Sequence, residues 1–383
     1  MKLLHLADLH LGKTLGDFDL IEDQRYILEQ ILELIGREGI DAVLIAGDVY
    51  DKSIPSEAAT RLLDTFLSRL AESRVKVYII SGNHDSDDRL NYGSVLFRSS
   101  QIYISSIFSG HMDRYVLDGG DTRANLFLLP FVKASQVKHF FPEADIDSYE
   151  DAVRVILEDA DIDEEQINII AAHQFVAGRG QDPALGGSEG AGTQNVGLVE
   201  RIGFDVFEKF DYVALGHIHA PQRVGRDEVR YAGSPLKYSL SEANNEKSVP
   251  VITIGPDKHV KVELVRLQPR RDLRHIRGRM EELLRRSAAE EDFIYATLTD
   301  EDYIDDAMGI FRQTYPNTVR IDYDNSRTRK AEQIDITGTA RSRSFSGLIG
   351  DFYRLIYGEE ISEEEMDVMR MAAREAGVTD EAD

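Results

Sequence analysis

The 383-residue chain predicts an α/β fold, a pair of packed sheets with helices outside. Two observations carry that reading. Residues 1–80 alternate short apolar runs with stretches of helical period, the pattern of βαβ units and a parallel sheet. Five apolar runs, the first at residue 3 and the last closing at residue 215, each end in Asp, Asn or His. In an open α/β sheet, ligands bind outside the carboxyl ends of the strands.

Taken in order, residues 3–7 predict a strand and residues 20–35 a helix, with Ile21, Ile27, Leu28, Ile31, Leu32 and Ile35 on its apolar face. A strand at 42–46, a helix at 56–71 and a strand at 75–80 follow; Pro55 suits the start of that helix because its missing N–H would be unpaired there. Residues 115–117 and 125–129 predict paired strands across Asp118-Gly119-Gly120. A helix is expected at 149–160 and a buried strand at 167–172. Residues 178–197 are glycine-rich, polar and too long for an ordinary connection, which points to a mobile or substrate-facing loop. A strand at 212–215 precedes three stretches at 229–232, 249–254 and 260–267 that read as antiparallel strands.

A composition shift at Gln268-Pro269-Arg270-Arg271 marks a domain boundary, giving a first domain over residues 1–268. The order strand (273–276), helix (279–286), strand (293–298), helix (304–314), strand (319–323) then predicts a small α+β unit at 269–330. Residues 331–343 read as a linker and 344–383 as a helical hairpin. Phe345, Leu348, Ile349, Phe352, Leu355 and Ile356 share one helical face, Gly358 suits a helix end, and Ser362 with Glu365 forms a capping box. So small a hairpin has little core of its own, so its apolar face needs a partner surface.

Bulk properties narrow the class. The chain has no cysteine, which excludes disulfides and thiolate metal sites. It has no apolar run near the ~20 residues of a membrane span and no signal-peptide pattern, so a soluble cytoplasmic protein is expected. A net charge of −25 opposes simple electrostatic binding to nucleic acid, yet eight arginines fall within residues 266–286 and ten acids within 359–383. Gly12-Lys13-Thr14 is not a phosphate loop, because Ala7 stands where the first glycine is required.

The strand-end residues Asp8, His10, Asp48, Asn83, His173, His217 and His219 form a set of seven oxygen and nitrogen donors. Such a set suits two divalent ions in a site that displaces at phosphorus, with a carboxylate bridging them, and Asp48 is placed for that. An Asp-x-His pair or a lone strand-end histidine is common by chance; the ordered combination is not. Asp8/His10 and His217/His219 can aim both side chains one way only if the backbone there is extended. His84 is expected to assist catalysis as a proton donor or transition-state stabiliser, and Asp85 to orient it by accepting its N–H. His5, His111, His139, His259 and His275 read as structural or exposed.

In this order, Asp-x-His, Gly-Asp, Gly-Asn-His-Asp, His and Gly-His-x-His resemble the calcineurin-like metallophosphoesterases. Ala7-Asp8-Leu9-His10-Leu11-Gly12-Lys13, Ala46-Gly47-Asp48-Val49-Tyr50-Asp51 and Tyr231-Ala232-Gly233-Ser234-Pro235-Leu236-Lys237-Tyr238-Ser239, with Ser241-Glu242, resemble the SbcD branch within them. The resemblance implies a four-layer α/β/β/α core, a DNA-contacting capping domain at 269–330 and a C-terminal segment docking on an SbcC-type ATPase. It also implies a homodimeric, manganese-dependent nuclease, 3′→5′ exonuclease on duplex DNA and endonuclease on hairpins and single strands. By motif, Asp8, His10 and His219 would hold one metal, Asn83, His173 and His217 the other, and Asp48 would bridge. Asp51 stands where other branches carry a second active-site histidine, so no catalytic role passes to that turn. The ligand set does not name the ester, which leaves a phosphatase or cyclic-nucleotide phosphodiesterase open, as well as a DNA-end-binding scaffold.

Overall fold

A computed structural model of the chain describes residues 1–178, 182–185, 201–285, 291–328, 346–347, 349–350, 353–354 and 360–375. The glycine-rich stretch at 178–197 lies largely outside them, as do Gly358 and most of the apolar positions between 345 and 356. The chain divides into two compact units, Met1–Arg274 and His275–Asp383.

The first unit opens with β1 (Lys2–Leu6), α1 (Ile21–Glu38), β2 (Ala42–Ala46), α2 (Glu57–Glu72) and β3 (Lys76–Ile80). Short helices α3 (Asp87–Asn91) and α4 (Ser94–Phe97) lead to β4 (Ile102–Ser105). Next come the hairpin β5 (Asp113–Gly119) and β6 (Thr122–Leu129), helices α5 (Ala134–Phe140) and α6 (Tyr149–Asp159), and β7 (Ile167–His173). β8 (Tyr212–Gly216), β9 (Gln222–Val224), β10 (Arg226–Tyr231), β11 (Ser248–Ile254) and β12 (Val260–Arg266) complete it. Two six-stranded sheets result, in the orders β12-β11-β1-β2-β3-β4 and β9-β10-β8-β7-β6-β5.

Why the strands read as nearly unbroken apolar runs is clear from their two buried faces. In β6, Ala124, Leu126 and Leu128 point into the core between the sheets, beside Leu3, Leu44, Tyr78 and Ile252 of the first sheet. Phe127 and Leu129 point the other way, onto Val137 of α5 and Val153 and Ile156 of α6. A fully buried side chain of this size contributes roughly 1.5–3 kcal/mol, so the sandwich is held from both sides of each strand. α1 buries Ile27, Leu28, Ile31, Leu34 and Ile35, and Gly39, at φ 62°, ends it by donating its N–H to Ile35 O.

Pro55 stands just ahead of α2, as expected; Ser56 is the N-cap, and its Oγ accepts from Ala59 N at 3.2 Å. The structure corrects the sequence reading of the later strands. The three stretches read as antiparallel strands separate. β10 lies in the second sheet, antiparallel to β9 but parallel to β8, whereas β11 and β12 pair antiparallel in the first, with β11 antiparallel to β1. Apolar alternation marks a strand without naming its neighbour, and the sheet edges had two free positions to fill. The compact first unit reaches Arg274: Gln268 N donates to Gln30 Oε1 at 2.8 Å, Arg271 pairs with buried Asp23, and Leu273 O accepts from Lys237 Nζ.

In the second unit a three-stranded sheet orders β13 (Leu273–Gly278), β14 (Phe293–Leu298) and β15 (Thr318–Tyr323), with α7 (Met280–Arg285) and α8 (Ala307–Thr314) between strands in sequence. Ile294, Ala296, Leu298, Leu283 and Phe311 form its core. α9 (Glu363–Glu375) starts at the expected capping box: Glu365 N donates to Ser362 Oγ at 3.3 Å, and Ser362 N donates to Glu365 Oε2 at 3.0 Å. Among the described residues no helix is long and apolar enough to cross a membrane.

Candidate metal centre

The seven donors expected from the sequence sit at the carboxyl ends of β1, β2, β3, β7 and β8, and the two sheets bring them together. The loop after β1 continues the parallel ladder with β2: Asp8 N donates to Gly47 O at 3.1 Å and His10 N to Asp48 O at 2.9 Å. His217 N donates to Asp8 Oδ1, and His84 N to Asp48 Oδ1, each at 2.9 Å. The second sheet meets the first at the ring of His173, whose Nδ1 donates to Ala46 O at 2.8 Å.

The backbone that aims these groups is not extended, contrary to the sequence expectation. Asp8, His10, Asp48 and His217 have φ of 53°, 42°, 50° and 98°. Single residues in this region turn the chain sharply, so side chains two apart can converge without a strand's alternation. Glycine supplies the room. At Gly47 (φ +84°) a Cβ would lie 2.3 Å from His173 Nδ1, and at Gly216 one would lie 1.9 Å from Ala46 O.

Three groupings emerge; one of them, His10, Asp51 and His84, reaches outside the expected donors, and the other two lie within them. Asp8, His10 and His219 bring one donor atom each within 4.8 Å of one another, as do Asp8, Asp48 and His173. His10 Nε2 and His219 Nε2 are 3.0 Å apart, so two imidazole lone pairs address one point. Asn83 Oδ1 lies 3.1 Å from His173 Nε2 and 3.0 Å from His217 Nδ1. Asp48 Oδ2 stands between the groupings, 3.4 Å from His10 Nε2 and 3.3 Å from His173 Nε2.

Electrostatics suit cations here. Asp8 is fully buried and its Oδ2 has no hydrogen-bond partner. A buried acceptor left so is costly, and a cation is what satisfies it. Burial pushes the Asp8 carboxyl up to about 6, against the pull of His173 and His219. At Asp48 burial works the same way, but His173, His10 and His84 together outweigh it and hold the carboxyl well below the usual range. Burial pushes the His10 imidazolium down to about 4, which keeps the ring neutral and able to donate its lone pair.

His84 lies beside this cluster, its ring centroid 4.9 Å from that of His10, and its Nδ1 bonds Asp51 O at 3.0 Å. Asp85 does not orient it. The Asp85 carboxylate accepts from Val49 N, Tyr50 N and Gly82 N at 3.1, 2.9 and 2.9 Å. It stitches the β2 turn to the β3 turn, because three amides converge on it whereas the His84 ring faces the main chain of Asp51. Of the other histidines, His5 is buried with Nδ1 3.0 Å from Tyr212 Oη, while His111, His139, His259 and His275 are exposed.

Sequence reasoning missed the groups behind the donors. Asp51 Oδ1 stands 3.6 Å from His10 Nδ1 and 2.7 Å from Lys13 Nζ. Gln24 Nε2 donates to His10 O at 2.7 Å while its Oε1 accepts from Gly12 N at 2.9 Å. One signal was available for Gln24: it is a polar residue in phase with Ile27, Leu28 and Ile31 on the buried face of α1.

The sequence profile of the calcineurin-like phosphoesterase family matches residues 1–221. The chain belongs to that family. It is therefore a phosphoesterase, of a fold that uses divalent metal, and the grouped donors fit that use. A second profile, the type 5 capsule protein repressor C-terminal domain, matches residues 269–356. The D subunit of the nuclease SbcCD of Staphylococcus epidermidis is 32% identical over 379 residues, 97% of each chain. Among solved structures, a dimetal phosphatase from Danio rerio aligns with a TM-score of 0.39 at 13% identity, over 70% of this chain and 96% of its own. A Thermus thermophilus protein aligns at 0.38 and 12% identity, over 69% and 99%.

Proposed function

We propose that this phosphoesterase is a DNA nuclease, the catalytic subunit of an SbcCD-type complex. The observation that carries the reading is the meeting of Asp8, His10, Asp48, Asn83, His173, His217 and His219 at one edge of the paired sheets. The near-full-length likeness to a nuclease subunit supplies the substrate class. Asp8, His10 and His219 would hold one divalent ion and Asn83, His173 and His217 the other, with the Asp48 carboxylate shared between them; manganese is the ion we assign. When bound, such a pair supplies Lewis acidity and a lowered water pKa for in-line displacement at phosphorus.

The chain's own residues supply the rest. With Nδ1 on Asp51 O, the His84 ring presents Nε2 as the proton donor to the leaving alkoxide. Asp51 holds His84 through its carbonyl and faces His10 with its carboxylate, so one turn sets two rings. The arginines of 266–286 give an acidic protein a local basic stripe for phosphate. The assigned activities are 3′→5′ exonuclease on duplex ends and endonuclease on hairpins and single strands. In the assembly, residues 1–268 are the nuclease domain, 269–330 cap it against DNA, 331–343 link, and 344–383 dock on an SbcC-type ATPase. Val368 and Met371, exposed on α9, support that docking role. Tyr92, Val95 and Leu96, exposed around α3 and α4, support a homodimer surface.

The deciding experiment incubates the full chain, alone and with the ATPase, with manganese and either hairpin-ended duplex or small phosphoesters. Manganese-dependent cleavage of the DNA, lost on chelation and in Asp48→Asn, is expected. Turnover of small esters without DNA cleavage in either preparation would sink the nuclease reading.

A further inference from the structure

Behind His219 lies a buried ion pair that the roles above leave unused. Lys247 Nζ sits 2.5 Å from Glu242 Oε2, and both side chains are almost wholly buried. The other two ammonium donors are spent on Ser234 Oγ and on His219 O, each at 2.8 Å. The second carboxylate oxygen, Glu242 Oε1, stands 3.5 Å from His219 Nδ1 and accepts from Tyr238 N at 3.3 Å. The pair thus reaches His219 twice, Glu242 at its ring and Lys247 at its carbonyl.

Stability is a poor reason for such a pair. Burying two charges costs several kcal/mol per ion, and hydrophobic replacements of similar volume are often neutral or better. Geometry offers another. A carboxylate on Nδ1 keeps the proton on that nitrogen and turns the Nε2 lone pair toward His10 Nε2, 3.0 Å away.

We propose that Glu242, locked by Lys247, is a positioning residue that fixes the tautomer and ring orientation of His219, so that its Nε2 lone pair completes the Asp8/His10/His219 cation position. The inference rests on the two-metal reading above. Four full-length proteins test it: wild type, Lys247→Met, Glu242→Met, and the double variant. Mn2+ binding is read by calorimetry and electron paramagnetic resonance, and stability by urea unfolding in chelator. Lys247→Met strands a buried carboxylate and loses stability; the neutral double variant recovers it. If Glu242 acts on His219, the double variant still binds one of its two ions ~10–100-fold more weakly, and its spectrum loses the exchange-coupled pair at stoichiometric metal. Glu242→Met alone reads the same loss should the double variant be too unstable. Binding of both ions as in wild type, or affinity falling only in step with stability, overturns the proposal. A wild type that binds no ion instead overturns the metal reading itself.

Discussion

Asp8, His10, Asp48 and His217 were legible as residues and illegible as conformations, since nothing in an Asp-x-His pair announces a positive φ. Backbone strain of this kind costs of order 1–3 kcal/mol per residue and persists only where the surroundings over-determine it. The neighbours His84 and Asp85 show the same limit: adjacency suggested one partnership, and the fold gave each its own. Asp85→Ala is therefore expected to strand three buried amides and cost about 2–4 kcal/mol of unfolding free energy. His84→Ala should stay within about 1 kcal/mol of wild type yet slow phosphodiester hydrolysis ~10²–10⁴-fold. Urea unfolding beside a cleavage assay separates the two, and equal stability losses would refute the assignment. His173 gives a pH test. Burial disfavours its charge, but Asp48 more than compensates and lifts it to about 9, above the ordinary 6.5. A raised histidine stabilises the folded state fully below pH 6.5 and ceases to as pH rises through about 9, so the chelated protein should weaken across that window. Metal must displace this proton, so binding near neutral pH should release about one proton from this ring. Calorimetry in buffers of different ionisation heat counts it; zero release would contradict a His173 ligand.

At the scale of elements, period and punctuation identified the central strands of the first unit, which are buried on both faces and apolar throughout, but missed the edge strands β4 and β9. What they could not reveal was partnership, as the placing of β10 beside β8 shows. Nor could they reveal how closely the sheets approach at the site. There β8 ends in Gly216, against the carbonyl that closes β2, and a methyl group would meet Ala46 O at 1.9 Å and His173 Nδ1 at 2.7 Å. Backbone cannot yield as a flexible side chain does, so Gly216→Ala must part the sheet ends. It is expected to lower both stability and Mn2+ affinity. Gly36→Ala, within α1 and with nothing near its added carbon, is the contrast. It should stabilise by roughly 0.5–1 kcal/mol and leave metal binding untouched. Matching thermal shifts for the two variants would show that close approach of the sheets does not shape the site.

For the whole molecule, charge sets the terms of association. Two copies that each carry −25 repel at long range, so a dimer must be closed by short-range apolar contact. Tyr92, Val95 and Leu96 are 83%, 74% and 76% exposed and are the apolar side chains the proposed dimer would cover. The sign of the salt effect follows. Added salt shortens the screening distance to ~8 Å at physiological strength and removes repulsion without touching apolar contact. Dimerisation through this patch should therefore strengthen from low to moderate salt, the opposite of an interface held by ion pairs. Leu96→Asp places a charge where the contact forms and should give a monomer at every salt concentration, with Mn2+ binding intact. Light scattering after size exclusion measures both. A Leu96→Asp protein that dimerises as wild type does, or a wild-type dimer that loosens with salt, would move the interface elsewhere on the molecule.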